Sequence, residues 1–250
     1  IDNFSPDYVI PFKVPKNQVM DAFKKFSKKP LTPKDFSCDK VVDKMQGVYI
    51  PFWLYSGNCE GSITAEGINT RTWTSGNYRY TEKKYYSVYR NGTLDFKAVP
   101  VDASSKTDDD AMDSIEPFDY SEMTAFNPGY LSGYLAERYD EDKDKCLPRA
   151  KERIENTTRD ELRNTCNYNS VNVQSYEKHT EIKDVKYAML PTWLLYTTYQ
   201  DKPYFFAMNG QTGKFIGNLP ISKGKLVAYS LLGGVGGYII GAILQIMGIF

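Results

Sequence analysis

Two short stretches of similar sequence indicate the fold of this chain: Ile50-Pro51-Phe52-Trp53-Leu54-Tyr55, and its counterpart Leu190-Pro191-Thr192-Trp193-Leu194-Leu195. Each stretch follows a predicted helix and precedes a predicted hairpin, which is typical of an internal repeat. A proline cannot donate a hydrogen bond to a neighbouring strand, so the proline of each copy marks a strand start, an edge or a bulge. The repeat predicts two helix-plus-sheet units of common design, with both tryptophans in the core. A coincidence of two short motifs is the alternative.

The patterns around these stretches predict an α+β fold with antiparallel sheets and packed helices. The chain has 20 tyrosines and 13 phenylalanines, and aromatic rings pack well on a pleated surface. Apolar residues at helical spacing predict helices over 16–28 and 145–166. A strong two-residue turn signal at Asn91-Gly92 predicts a hairpin over 84–101. The remaining predicted strands cover 47–65, 70–80, 170–181, 185–199 and 204–217.

The segment from about 102 to 144 is acidic and interrupted by prolines and glycines, which predicts a long excursion from the sheet. Its oxygen ligands could serve calcium, but they lack the alternating spacing and central glycine of an EF-hand loop. We therefore interpret the segment as a solvated loop that faces a partner. Its carboxylates include Asp108, Asp109, Asp110, Asp113, Glu116, Asp119 and Glu122.

Candidate chemistry is sparse elsewhere. The cysteines occur singly and the only histidine is His179, so no zinc site of paired ligands can be assembled and we expect no cofactor in this chain. Free thiols are our interpretation, and two disulfides are the alternative. The glycines and lysine of 209–214 lack the spacing of a P-loop and predict a hairpin turn instead. The cysteines are Cys38, Cys59, Cys146 and Cys166.

The charge balance bears on the class of partner. The 31 basic and 31 acidic side chains cancel, and the isoelectric point is about 6.8. Proteins dedicated to nucleic acids usually carry a basic excess or stripe. The composition therefore argues against a nucleic-acid partner.

The last 25 residues, 226–250, contain no charged side chain. As a helix they would measure about 37 Å, against a hydrocarbon core of about 30 Å. This predicts a C-terminal transmembrane helix over 226–250, attached to an α+β domain over 1–222. Gly233, Gly237 and Gly241 recur at intervals of four, so they would share one helix face. That face predicts packing against a membrane-protein partner or a second copy, with generic glycine enrichment of membrane helices as the alternative.

Basic residues predict the orientation of this span. Lys214, Lys223 and Lys225 lie just before it, and no basic residue follows within the chain. By the positive-inside rule, the domain over 1–222 is expected on the cytoplasmic side. The predicted location is therefore the cell membrane, with a single pass in contact with lipid.

Four motifs resemble a known family. They are Asp7-Tyr8-Val9-Ile10-Pro11-Phe12, the stretch Gly47-Val48-Tyr49-Ile50-Pro51-Phe52-Trp53-Leu54, and the segments over 112–120 and 206–214. Together they are similar to uncharacterised bacterial TFIIB-type zinc ribbon-containing membrane proteins, over nearly the whole chain. The resemblance implies zinc ribbons upstream of the first motif and a membrane-stress context. This chain lacks the ribbon cysteines, so no zinc ligand is carried over, and the family assigns no catalytic residues.

The combined expectation is a non-enzymatic scaffold or adaptor, anchored at the cytoplasmic face of a membrane and placed in a membrane-stress complex. A nucleic-acid-processing zinc-ribbon protein is the first alternative, as the family label implies. A membrane-associated hydrolase that uses scattered carboxylates is the second.

Overall fold

The computed structural model describes residues 5–34, 36 and 44–233. Its helices are α1 (Lys16–Ser27), α2 (Asp109–Ser114) and α3 (Lys143–Asn164), with 3-10 turns at Tyr120–Glu122 and Pro128–Leu131. Residues 223–233 are also helical. Its strands are β1 (Tyr8–Val9), β2 (Gln46–Ser75), β3 (Tyr78–Asp102), β4 (Thr124–Ala125), β5 (Leu135–Ala136), β6 (Ser170–Tyr199), β7 (Lys202–Asn209) and β8 (Phe215–Gly217).

All eight strands join one mixed sheet. The main order is β3-β2-β6-β1-β4, with β7 also on β6, β8 on β7 and β5 on β2. The long neighbours are antiparallel, whereas β1 pairs with β6 and β5 pairs with β2 in parallel. The predicted fold class, antiparallel sheets with packed helices in two repeated units plus a C-terminal transmembrane helix, is wrong, because the described strands form one mixed sheet. The short parallel strands escaped prediction because two residues give no readable period.

The two repeated stretches lie side by side at the centre of this sheet. Ile50 pairs with Leu190, its own counterpart, and each proline lies one position away from that pair. The repeats are therefore related by a local two-fold axis within one sheet, instead of forming two separate sheets. The neighbouring segments follow the same symmetry: Val48–Tyr49 pairs in parallel with β5, and its counterpart Ala188–Met189 pairs in parallel with β1.

The carbonyl oxygens of both prolines accept backbone hydrogen bonds. The oxygen of Pro51 accepts from the backbone N–H of Ala103 at 2.9 Å, and that of Pro191 accepts from Gly210 at 2.8 Å. Each donor comes directly after the strand that pairs with its repeat, β3 in one case and β7 in the other. The two proline carbonyls are thus satisfied in the same way in both halves.

Helices α1 and α3 cover the same face of the sheet, each over a different pair of strands. Helix α3 packs on β2 and β3, and α1 packs on β6 and β7. Trp53 donates its indole N–H to the carbonyl of Glu141, just before α3, at 2.9 Å. Trp193 donates to Val14, just before α1, at 3.0 Å. Both tryptophans are buried, and each fixes the start of the helix that covers its own strands.

The acidic excursion covers the other face. Ala111, Met112 and Ile115 of α2, together with Phe118, pack on even-numbered side chains of β2 and β6. Asn209 is fully buried and its side-chain amide donates to the carbonyl of Ile115 at 3.0 Å. The excursion is therefore a packed layer over this part of the sheet, in contrast to the solvated loop that its composition predicts.

The predicted hairpin turn at Asn91-Gly92 is wrong, because both residues lie inside the uninterrupted strand β3, opposite Ser62 and Gly61. The turn between β2 and β3 is instead Gly76-Asn77, where Gly76 has a φ of +60°, as the first position of a type II′ turn requires. Gly92 lies on the face that carries α3, where a Cβ would lie 3.5 Å from the Leu162 side chain, an ordinary van der Waals contact.

The predicted membrane span is also wrong. The helical residues 223–233 measure about 16 Å, roughly half of a hydrocarbon core, and they include Lys223 and Lys225. Within 5–34, 36 and 44–233 there is no helix with the length and apolar character needed to cross a membrane. The single-pass membrane location that rested on this span falls with it. Residues 234–250, with Gly237 and Gly241, lie outside the described residues.

Candidate interaction surface

The sheet extends far beyond its central core as a three-stranded arm. We call the arm residues 56–97 of β2 and β3 together with 170–186 of β6. Strand β2 lies in the middle and pairs with both neighbours along the arm. One arm face carries α3, and no apolar cluster of the described residues covers the other.

Helix α3 is fastened to the arm by small residues and by specific contacts. A Cβ added to Gly61 would lie 3.0 Å from Thr158 and 3.1 Å from Leu162, so only glycine fits without displacement. Tyr176 of β6 donates its hydroxyl to the Glu155 carbonyl of α3 at 2.8 Å. Leu162 of α3 also packs in one apolar cluster with Ile63 and Val88 of the arm. The arm is therefore a rigid platform as far as the end of α3.

Beyond α3 the arm narrows to two strands. Ser170, the first residue of β6, pairs with Ile68, so residues 69–84 have only each other as strand neighbours. We call residues 69–84 the ribbon. All residues from 70 to 87 are exposed. A two-stranded hairpin is marginally stable alone, so the ribbon depends on its rigid base and on cross-strand side-chain pairs.

Aromatic and basic side chains meet on the ribbon face that continues the helix-bearing side. Trp73 and Tyr80 are cross-strand neighbours whose rings stack 5.6 Å apart at 15°. The Arg71 guanidinium lies 5.7 Å from the Trp73 ring. Trp73 is 43% exposed and Tyr80 is 45% exposed, although a tryptophan usually lies largely buried. The stacked pair with its arginine is the clearest candidate binding feature of the described residues.

The ribbon is also positively charged. It holds Arg71, Arg79, Lys83 and Lys84 against Glu82 alone, a net charge of +3 in a chain whose overall charge is zero. Its only close ion pair among these residues is Lys84–Glu82, at 3.8 Å and exposed. The free basic groups give the ribbon a positive field that favours an acidic partner.

A second charged cluster, at the base of the arm, has a structural role. Asp102 is 1% exposed and accepts from Arg149 at 2.7 Å, while Arg153 bonds Glu116 at 2.7 Å. Burial raises the pKa of Asp102 to about 6, and the hydrogen bond from Arg149 opposes this shift. Burial likewise raises the pKa of Glu116, opposed by Arg153. The cluster ties α2 and the excursion to α3, and no cavity among those found opens onto it.

Other reactive groups are poorly placed for catalysis. Cys146 is buried, and burial raises the pKa of its thiol to about 12, which leaves it protonated and unreactive at neutral pH. Cys59 and Cys166 are buried as well and are free thiols. His179 lies in an open groove of about 280 Å³ on the uncovered arm face, beside Glu60 and Glu177. In the described ranges no three histidine, cysteine or acidic side chains are grouped to hold a metal ion.

One comparison places the chain among known proteins. It is 38% identical over 229 residues to a Bacillus subtilis (strain 168) protein named uncharacterized protein YdjG, a match that spans 91% of this chain and 67% of that protein. The chain belongs to the YdjG family. No family model and no solved structure matches the chain. The YdjG name states no activity, so the family brings no site residue or ligand to this chain.

The sites predicted from the sequence of this YdjG-family chain are scattered. The central part of the sheet, outside the arm, holds Pro51, Pro191, Trp53 and Trp193. A Cβ on Gly233 would meet nothing within 4 Å. A zinc ribbon is not supported as a description of these residues, since none of the metal-ligand groups it needs is present in the described part. The wider resemblance to zinc-ribbon membrane proteins stays a prediction.

Sequence reasoning missed the ribbon of this YdjG-family chain. A signal was present: residues 71–75 before Gly76-Asn77 and residues 78–81 after it contain aromatic, hydroxyl and basic side chains but no aliphatic one. A strand pair that buries neither face has no core to pack against, so such a pattern predicts a projecting hairpin. The turn signal at Asn91-Gly92 concealed it, because that signal placed the hairpin elsewhere.

Proposed function

We propose that this chain is a non-enzymatic adaptor or scaffold protein that binds an acidic partner protein through the ribbon. The observation that supports this most is the stacked and exposed pair of Trp73 and Tyr80, with Arg71 beside it. The proposal retains the predicted class of function and drops the membrane anchor.

The residue types on the ribbon are those that dominate binding energy at protein interfaces. Tryptophan, tyrosine and arginine are enriched among residues whose truncation costs more than about 2 kcal/mol of binding free energy. Here all three lie on one face of a hairpin whose strand register holds them in place. A partner that covers Trp73 would therefore gain apolar contact with little loss of side-chain freedom.

The rest of the described structure supports a binding role over a catalytic one. Its buried carboxylates, Asp102 and Glu116, are occupied by arginines, and its described cysteines are buried. A general acid or base must reach a substrate within hydrogen-bond distance. None of these side chains lines the surface grooves seen among the described residues, so they give the hydrolase alternative no support.

Site-specific photocross-linking in cells of the native host tests the proposal. A photoreactive phenylalanine analogue at Tyr80 is expected to trap a partner, whereas the same analogue at Tyr196 is not. Tyr196 is the matched control because it is 61% exposed but lies on the strand pair with β7, away from the arm. The trapped protein is then identified, purified and titrated against the purified chain.

The titration shows whether binding of the partner depends on the ribbon. Replacing Trp73 by Ser or Arg71 by Glu is expected to weaken binding of the purified partner about tenfold or more, which corresponds to roughly 1.4 kcal/mol. Lys202→Glu, an exposed charge change outside the arm, is expected to leave the affinity unchanged. Binding that ignores the ribbon variants would refute the proposal even if a partner were trapped.

Single-stranded nucleic acid is a second candidate ligand, because aromatic platforms flanked by basic groups also stack bases. The neutral overall charge makes it the weaker candidate. Labelled DNA and RNA oligonucleotides titrated in low and moderate salt provide the measurement. Micromolar binding that falls steeply with salt and is lost in Trp73→Ser would favour this ligand over a protein.

A further inference from the structure

Strand β3 is an unusually long open edge. It runs for 25 residues, and among the described strands only β2 pairs with it. Half of its backbone hydrogen-bonding groups therefore point away from the sheet. The Arg90 guanidinium covers one of them by donating to the carbonyl of Tyr89 at 2.8 Å. Exposed edges of this kind are templates for pairing with another strand unless charges or bulges block them.

Going beyond the proposed adaptor function, we propose that two copies of the chain pair through this edge. The two β3 strands run antiparallel about a two-fold axis at Tyr89, which joins two three-stranded arms into one six-stranded sheet. A bulge at Ala98, with its φ of +54°, ends the regular edge, so the pairing covers residues 81–97. A two-fold interface of this kind is closed and self-complementary.

Charges on the edge disfavour several registers. A two-fold axis normal to the sheet keeps the same faces together, so only registers centred on a residue are allowed. A centre at Ser87 would oppose Lys84 and Arg90, and a centre at Val88 would oppose Arg79 and Lys97. Such like-charge pairs are destabilising.

With the centre at Tyr89, Lys83 of each copy faces Asp95 of the other, giving two opposite-charge pairs. No two like charges are directly opposed between 81 and 97 in this register. Opposite charges directly across strands stabilise antiparallel pairing. A centre at Tyr86 would also avoid like charges, by opposing Glu82 and Arg90, and the charge variants below separate these two registers.

The side chains at the centre also fit. Tyr89 is 61% exposed and would meet its own copy across the axis on the uncovered face. On the helix-bearing face Tyr86 would lie opposite Gly92 of the second copy, where an aromatic ring can cover a glycine. Trp73 and Arg71 lie on β2, one strand away from the edge, so they remain accessible to a partner protein, whereas Lys83 belongs to both surfaces.

Sedimentation velocity of the purified chain over a range of concentrations tests the proposal without any other partner. The native chain is expected to dimerise. Lys83→Asp and Asp95→Lys are each expected to weaken dimerisation at least tenfold, and the double variant is expected to recover most of it. Since both side chains are exposed, recovery in the double variant also shows that the single variants fold.

A matched charge pair controls for the register. Glu82 and Arg90 face Phe96 and Val88 in the proposed register, but they would face each other if the axis lay at Tyr86. Glu82→Lys and Arg90→Glu are therefore expected to show no mutual rescue. Rescue by this pair in place of Lys83 and Asp95 would overturn the proposed register, and a monomer at every concentration would overturn the pairing itself.

Disulfide trapping gives an independent reading. Tyr89→Cys is expected to form an intermolecular disulfide under mild oxidation, because the axis brings the two residues together. The native chain measures the background from its own cysteines. Tyr85→Cys is the control, because residue 85 lies four positions along the strand from the axis in each copy. Trapping that is equal at both positions would overturn the assignment of the axis.

Discussion

Replacement of Trp193 by alanine should destabilise the chain far more than replacement of the other hairpin tryptophan, Trp73. Trp193 is 5% exposed and packs edge-on against Phe12 and Tyr134, with ring centroids 5.4 and 6.1 Å away. Emptying such a site typically costs about 3–5 kcal/mol of unfolding free energy. Trp73 is 43% exposed, and its loss should cost less than about 1 kcal/mol, through the stacked pair alone.

Trp193→Phe separates the two contributions of the indole. The phenyl ring retains most of the apolar contact but cannot donate to the carbonyl of Val14, which Trp193 reaches at 3.0 Å. Leaving that carbonyl without its donor should cost roughly 1–3 kcal/mol. Because Val14 lies just before α1, Trp193→Ala and Trp193→Phe should both also speed amide hydrogen exchange in α1 relative to α3.

Urea unfolding followed by far-ultraviolet circular dichroism measures these effects without depending on tryptophan emission. A slope of about 1–3 kcal/mol per molar urea converts the expected loss of about 3–5 kcal/mol for Trp193→Ala into a midpoint lower by roughly 1–5 M. Trp53→Ala should behave similarly, since Trp53 occupies the equivalent position. Equal midpoints for Trp193→Ala and Trp73→Ala would refute the assignment of the repeated stretches to the core.

Three further changes probe the arm and the excursion by the same urea midpoint. Gly61→Val should cost about 1–3 kcal/mol, because even a Cβ there lies 3.0 Å from Thr158, whereas Ser62→Val on the opposite face should be nearly neutral. The pKa of Asp102 is raised to about 6 from 3.8, so the folded state binds the extra proton and stability should fall as pH rises from about 4 to 6; Asp102→Asn should flatten that slope. Asn209→Ala should cost about 1–3 kcal/mol, since its buried amide donates to two carbonyls of the excursion; a loss below about 0.5 kcal/mol would contradict that role.

The helices were predictable because their signal is local. The predicted helices over 16–28 and 145–166 correspond to α1 (Lys16–Ser27) and α3 (Lys143–Asn164), since an apolar stripe at a period of 3.6 needs no knowledge of the partner. The turn at 209–214 is confirmed for the same reason: Met208 pairs with Phe215 across it.

Strand lengths and turns were less predictable because they depend on distant neighbours. Polar residues after 65 and after 181 ended two strands in the prediction, yet β2 and β6 continue through them since each supports the other in register. The Asn91-Gly92 signal failed because both residues are held inside β3 by pairing with Ser62 and Gly61 of β2, which no local rule reveals. The apolar tail was interpreted from its length and its lack of charged residues, and the part of it that is described continues a helix that includes Lys223 and Lys225.

The local two-fold axis explains where a binding surface could be added to this fold. Strand pairs β2–β3 and β6–β7 occupy equivalent places, and each ends in a buried polar residue, Asp102 opposite Phe52 and Asn209 opposite Thr192. The second pair stops after eight residues of β7, whereas the first continues to Gly76. Because the core is complete without that extension, its side chains contribute little to the core. The exposed aromatic and basic side chains of the ribbon are therefore free to contact a partner, which is the role that we propose for them.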